Sequence, residues 1–343
     1  MSGSVAIYFA KTELEVLASE IIASQHEKHS QNLLAYSGKQ APFIINPESF
    51  ASHLKLSTQP KRGIFPERRT ILSNLEMVAR EVHRLNTAPD TIRIHLPRLS
   101  TSKSNYAINY LKKKFPQSLI RVCLIPHGLA SIEPIPLNRK RKIKFFKKKW
   151  NPANIFYPML EYYVPAGDLI GGADDIVQNI YTFPSIIVPV APEKIIELSG
   201  LKNYIQSTPK ARTGRSAIII GQPLLKNGYI SDSTHAHVRD QMHNWLMNNS
   251  FDIIYYSKHP RAGDFLDFFV DGYQLIEQNG PVEIALCELQ PVAVISCYSA
   301  ALATAKILFA DDVQSISFGL SLTQTDKKES LGRYFRSIGV ELR

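Results

Sequence analysis

The sequence predicts an α/β protein made of two Rossmann-like parallel-sheet domains facing a cleft. Three observations carry that prediction. Short apolar runs alternate with amphipathic stretches in both halves of the chain, the pattern of a parallel sheet flanked by helices. A segment with three prolines between residues 184 and 192 separates the halves. A length of 343 residues with 44% hydrophobic composition suffices for two cores.

In chain order, VAIYF (5–9) reads as a strand. Residues 12–25 read as a helix, with Thr12 as N-cap and Glu15 completing a capping box. APFIIN (41–46) is a further strand candidate, and 66–85 a helix with Pro66 near its start. TIRIHL (91–96) is a strand, 103–115 a helix closed by Pro116, and LIRVCLI (119–125) a strand. Residues 134–214 mix a basic run, aromatics and prolines, and the inter-domain boundary is expected within 185–214. The second half begins with the strand SAIIIGQPLL (216–225) and a helix over 233–249. Strands at 251–261, 291–299 and 313–320 follow, with helices at 280–289 and 300–310. The expected domains are 1–185, 186–325 and a tail or helix over 326–343.

The formal charge of +10 is concentrated. Arg139, Lys140, Arg141, Lys142, Lys144, Lys147, Lys148 and Lys149 lie in one eleven-residue window without an acid, leaving +2 for the rest. Ile143, Phe145, Phe146 and Trp150 are interleaved with them. Such a run suits an anionic membrane surface or a polyanionic acceptor, and otherwise a solvated loop. No nucleic-acid-binding module accompanies it, so nucleic acid is not an expected partner. No apolar run approaches membrane-spanning length, and the N-terminus lacks the pattern of a signal peptide. A cytoplasmic location follows, with peripheral contact at the inner face of the plasma membrane. Cys123, Cys287 and Cys297 sit in apolar runs without CxxC pairing, as buried reduced thiols would.

Ligands of open α/β sheets bind at the carboxyl ends of strands. Four polar corners are expected there: Pro126-His127-Gly128, Gly221-Gln222-Pro223, Lys258-His259-Pro260-Arg261 and Ser296-Cys297-Tyr298-Ser299. Three fall in the second half. Their residue types suit a phosphate, because cationic side chains and hydroxyls meet the negative charge of a phosphate leaving group. Ser299 opens a predicted helix, whose N-terminal amides favour an anion. No Walker, GxGxxG, HExxH, GxSxG or Asp-x-Asp motif occurs. His235 and His237, two apart on a predicted helix, do not share a face as metal ligands would.

The ordered set IPHGL, GQPLL, SKHPR and SCYSAAL resembles the bacterial sialyltransferases and polysialyltransferases of the GT-B fold. The resemblance implies inverting, cofactor-free and metal-independent transfer from a CMP-activated nonulosonic acid to a capsule or lipopolysaccharide glycan. It implies that His259 binds and protonates the CMP phosphate, that Pro260 fixes its loop and that Ser299 holds the phosphate. Gly221 and Gln222 would lie against the nucleotide, with Lys258 beside it and Gly128 turning the backbone under the donor. Two positions depart from the family pattern. Ala300 replaces the second hydroxyl of a pair, so that contact is either missing or supplied by Ser296. His127 replaces the acid before Gly128, and histidine ionises near neutrality, so it can still serve as the base. The His-Gly corner also resembles, more locally, the CDP-glycerol glycerophosphotransferases. A GT-B enzyme using a UDP- or GDP-sugar and a non-catalytic nucleotide- or polyanion-binding module of the same fold are the remaining alternatives.

Overall fold

Residues 3–62, 65–101, 103–128, 137–184, 191–205, 214–259, 262–263, 265–277 and 280–343 are described in the computed structural model. The chain divides into two compact units, Met1–Ser199 and Gly200–Arg343. That division lies inside the 185–214 window but later than residue 185.

In the first unit, β1 (Ser4–Ala10), α1 (Glu13–Gln25), β2 (Gln31–Tyr36), β3 (Ser52–Lys55), α2 (Pro66–Leu85) and β4 (Thr91–Leu96) come first. Then follow α3 (Tyr106–Lys114), β5 (Leu119–Leu124), α4 (Arg139–Lys149), β6 (Val177–Thr182) and β7 (Ile195–Glu197). The strands form one parallel sheet in the order β3-β2-β1-β4-β5-β6-β7. The order reverses between β1 and β4, and such a reversal opens a crevice at the carboxyl edge. β1 is buried from Val5 through Ala10, as expected of a parallel strand covered on both faces. β7 belongs to this sheet, which is why the boundary falls after it.

The second unit holds α5 (Leu201–Ile205), β8 (Ser216–Ile220), α6 (Asp232–Asn248), β9 (Ile253–Ser257), β10 (Gln274–Ile276) and α7 (Val282–Leu289). It continues through β11 (Ala293–Ser296), α8 (Ala300–Phe309), β12 (Gln314–Ser317), α9 (Lys328–Ser337) and β13 (Glu341–Leu342). Its parallel sheet runs β10-β9-β8-β11-β12-β13, reversing between β8 and β11. Residues 326–343 are no separate tail. α9 buries Leu331, Tyr334 and Phe335, and β13 pairs with β12.

Residues 41–46 are not a strand. The Phe43 amide donates to Glu13, and those of Ile45 and Asn46 donate to Glu20, so side chains of α1 take the bonds a neighbouring strand would supply. All three cysteines are buried thiols outside any disulfide, and burial pushes each up to about 12.

A buried polar cluster sits on the first sheet. The fully buried His95 ring stacks on Tyr8 at 4.3 Å, and its Nε2 lies 3.7 Å from Glu27, which also pairs with Arg93 at 3.1 Å. Burial lowers the His95 pKa from its ordinary 6.5, against the attraction of Glu27. Below that ordinary value the unfolded chain binds a proton that folded His95 refuses. Stability is therefore expected to fall with pH from about 6.5 downward, by up to about 1.4 kcal/mol per pH unit. Urea unfolding at a series of pH values checks this, and His95→Leu should flatten the slope.

Candidate functional site

The first corner is built by two neighbouring loops at the carboxyl edge of the first sheet. β5 ends at Leu124, and the Ile125 amide extends the ladder by donating to the Leu96 carbonyl at 2.9 Å. Pro126 and His127 follow, and Gly128 turns with φ +52°, a left-handed conformation that favours glycine. β1 leads into Lys11 and Thr12, and Thr12 caps α1 by accepting from the Glu15 amide at 3.3 Å. The Glu15 carboxylate reaches back, with Oε2 accepting from the amides of Lys11 (2.7 Å) and Thr12 (3.3 Å). Its Oε1 meets His127 Nδ1. Glu15 is 1% exposed and the His127 side chain 29%. A carboxylate only accepts, so Nδ1 is the donor in this contact. The ring is thus anchored by a buried carboxylate while its side chain stays partly exposed. Glu15 is the site residue that sequence reasoning misses. Its capping box is legible locally, whereas its second partner lies 112 residues away.

In the second unit, the corners after β9, β8 and β11 lie on adjacent parallel strands and so share one carboxyl edge. Lys258 and His259 follow β9 and are half-buried, and the His259 carbonyl accepts from the Ala262 amide at 2.9 Å. Pro260 and Arg261 lie outside the described residues. Ser299 is the N-cap of α8, its hydroxyl accepting from the Ala301 amide at 3.2 Å. Gln222 spans the reversal of strand order. Its Oε1 accepts from the Tyr298 amide at 2.9 Å, fastening the corner after β8 to the corner after β11. Ser296 is fully buried, its hydroxyl 2.8 Å from the Ile220 carbonyl and 3.1 Å from Gln222 Oε1. Ser296 therefore braces the sheet edge and does not supply the expected phosphate contact. On the far side of the turn, Asp267 accepts from the Leu224 amide and lies 3.3 Å from His235 Nε2, which stacks on Phe268. His243 instead meets Tyr273 at 2.9 Å, so the α6 histidines do not converge.

Gly221 is accounted for by packing. A Cβ there would sit 2.3 Å from the Tyr256 hydroxyl and 3.2 Å from the Ser257 carbonyl. Gly221→Ala is therefore expected to destabilise the protein by about 1–3 kcal/mol, as overpacking does, measured by chemical denaturation.

The alpha-2,8-polysialyltransferase family model matches residues 16–316. The chain belongs to that family. It is a glycosyltransferase. No curated protein matches it. Among solved structures, the kitacinnamycin glycosyltransferase superposes with a TM-score of 0.52 at 10% identity, covering 100% of this chain and 86% of that one. The UDP-GlcNAc 2-epimerase of Methanocaldococcus jannaschii gives 0.52 at 11% identity, covering 99% and 88%. At these identities the likeness is one of fold, two parallel-sheet α/β units of GT-B type.

In this member of the polysialyltransferase family the basic run is the helix α4, not a loop. Adjacent cations repel along a helix, so its stability comes from elsewhere. Asn138 caps it by accepting from the Arg141 amide at 2.9 Å. Phe145 is buried and stacks on Tyr162 at 5.7 Å, and Arg68 donates to the Lys148 carbonyl at 3.2 Å. Two cations are drawn inward. The Lys148 ammonium lies 4.9 Å from the Tyr162 ring centre, where burial and then Lys144 push its pKa down, and Lys149 pairs with Glu161 at 3.6 Å. Arg139, Lys140, Lys142, Lys144 and Lys147 are exposed, and Arg141 is half-buried. Ile143, Phe146 and Trp150, spaced three and four apart on one face, are also exposed, Trp150 by 75%. Ile155 and Phe156 follow, exposed by 80% and 71%, with Phe156 against Phe65 at 5.8 Å. Among the described residues, no helix is long and apolar enough to cross a membrane.

Proposed function

We propose that this family member transfers a nonulosonic acid such as sialic acid from a CMP-activated donor to a hydroxyl of a capsule or lipopolysaccharide glycan. The transfer inverts the anomeric carbon and uses no metal. The observation that carries this reading is the His127 imidazole seated on buried Glu15 at a strand-end corner. His127 Nε2 takes the proton of the acceptor hydroxyl as its oxygen attacks the anomeric carbon. The bond from that carbon to the phosphate oxygen breaks, and its electron pair leaves with CMP. His259 donates a proton to the departing phosphate, with Lys258, the Ser299 hydroxyl and the first turn of α8 meeting its charge. Gly221 and Gln222 act indirectly, by setting the separation of the corners around the nucleotide.

α4 adds a peripheral contact with an anionic membrane at the cytoplasmic face. Five exposed cations beside an exposed aromatic and aliphatic face support that role. The buried thiols agree with a reducing compartment.

A His-Gly corner would equally serve attack on phosphorus, so CDP-glycerol is the competing donor. Purified protein is to be incubated, in the presence of a chelator, with CMP-sialic acid, CMP-linked diamino-nonulosonates and CDP-glycerol, each with glycan acceptors. CMP release from a CMP-nonulosonate is the expected result. Release from CDP-glycerol alone would replace the reading, and release from none would overturn it.

A further inference from the structure

We infer that Glu15 is a positioning residue for His127, fixing the tautomer in which Nε2 accepts the proton. The inference rests on His127 being the base proposed above. A capping-box glutamate needs only one oxygen for the helix, and here Oε2 alone takes both amides, of Lys11 and Thr12. The second oxygen is directed at Nδ1. The carboxylate comes from the corner after β1 and the imidazole from the corner after β5, so the pair bridges β4, which lies between them in the sheet. Buried at 1% exposure, the carboxylate is little screened by water. When Nε2 takes a proton, the resulting imidazolium lies against this charge and is stabilised by it. The same carboxylate fixes the rotation of the ring, so the accepting nitrogen is presented without reorganisation.

Glu15→Gln separates this role from capping. The amide oxygen can take the place of Oε2 toward Lys11 and Thr12, preserving the helix start. The amide nitrogen then faces Nδ1 as a donor, which drives the histidine proton to Nε2 and abolishes its basicity there. Long-range nitrogen–proton NMR of histidine-labelled full-length protein is expected to show the His127 proton on Nδ1 in the wild type and on Nε2 in the variant. CMP release with the donor identified above is expected to lose about 10²–10⁴-fold in kcat with little change in donor KM. The melting temperature should stay near that of the wild type. A wild-type His127 protonated on Nε2 would overturn the inference without any variant having to fold. So would a Glu15→Gln enzyme with wild-type kcat while His127→Ala is inactive. Retained turnover in His127→Ala is a different failure, that of the base assignment, and the wild-type spectrum tells the two apart.

Discussion

His127→Ala is expected to lower the rate of sugar transfer by about 10²–10⁴-fold, the usual contribution of a general base. CMP affinity, measured by calorimetry, is expected to stay within about twofold of wild type, because the proposed role of His127 is toward the acceptor hydroxyl and not the nucleotide. His259→Ala gives the contrasting pattern. Removing the side chain proposed to meet the phosphate is expected to weaken CMP binding and slow departure of the leaving group, lowering kcat by about 10²–10³-fold. CMP affinity therefore separates the two variants, since both are expected to lose turnover and only His259→Ala is expected to weaken CMP binding. Full activity in His127→Ala would reduce the Glu15–His127 contact to a brace for the turn at Gly128.

The features legible in the sequence were those with local causes. Alternation of apolar runs announces β1, β4, β5, β8 and β11, because a doubly covered parallel strand must be apolar throughout. Thr12 and Glu15 announce their capping box because both partners lie within one turn. Residues 41–46 misled for the complementary reason: their apolar side chains look strand-like, while Glu13 and Glu20 of α1 claim their amides. β10 and β13, of three and two residues, are too short to carry a pattern and exist because a neighbouring strand offers an edge. The helicity of residues 139–149 was hidden by their charge, since the ring of Tyr162 that anchors them lies beyond the helix and outside its local pattern. At the corners, residue type suggested ligand contact for Ser296 and Gly221. The fold packs both at the sheet edge, and only the folded structure distinguishes a hydroxyl facing solvent from one facing the Ile220 carbonyl.

Binding to anionic vesicles is the second large effect. Lys142, Lys144 and Lys147 are exposed on α4, and each cation near a headgroup contributes about 1 kcal/mol. Changing all three to Gln is therefore expected to weaken partitioning by about 10²-fold at low ionic strength. Phe146→Ser with Trp150→Ser removes two large exposed apolar side chains, each of which contributes up to about 1.5–3 kcal/mol when buried. The two variants differ in their response to salt. The cationic variant should approach the wild type once added salt shortens the screening length to a few ångströms, whereas the aromatic variant should remain weak. Sedimentation with phosphatidylserine-containing vesicles across a salt series reads both. Unchanged partitioning of both variants would assign α4 a role away from the membrane.

The carboxylate of Glu15 serves two clients, a helix and an imidazole, and that sharing constrains how this chain can diverge. A lineage that abandons transfer still needs a side-chain oxygen at this position to start α1, and glutamine provides one. Retention of a glutamate-like side chain there therefore says nothing about activity when taken alone. The informative unit is the pair. On the proposed roles, a relative that keeps both Glu15 and His127 is expected to keep the proton acceptor, and one that carries glutamine in place of Glu15 is expected to keep only its scaffold.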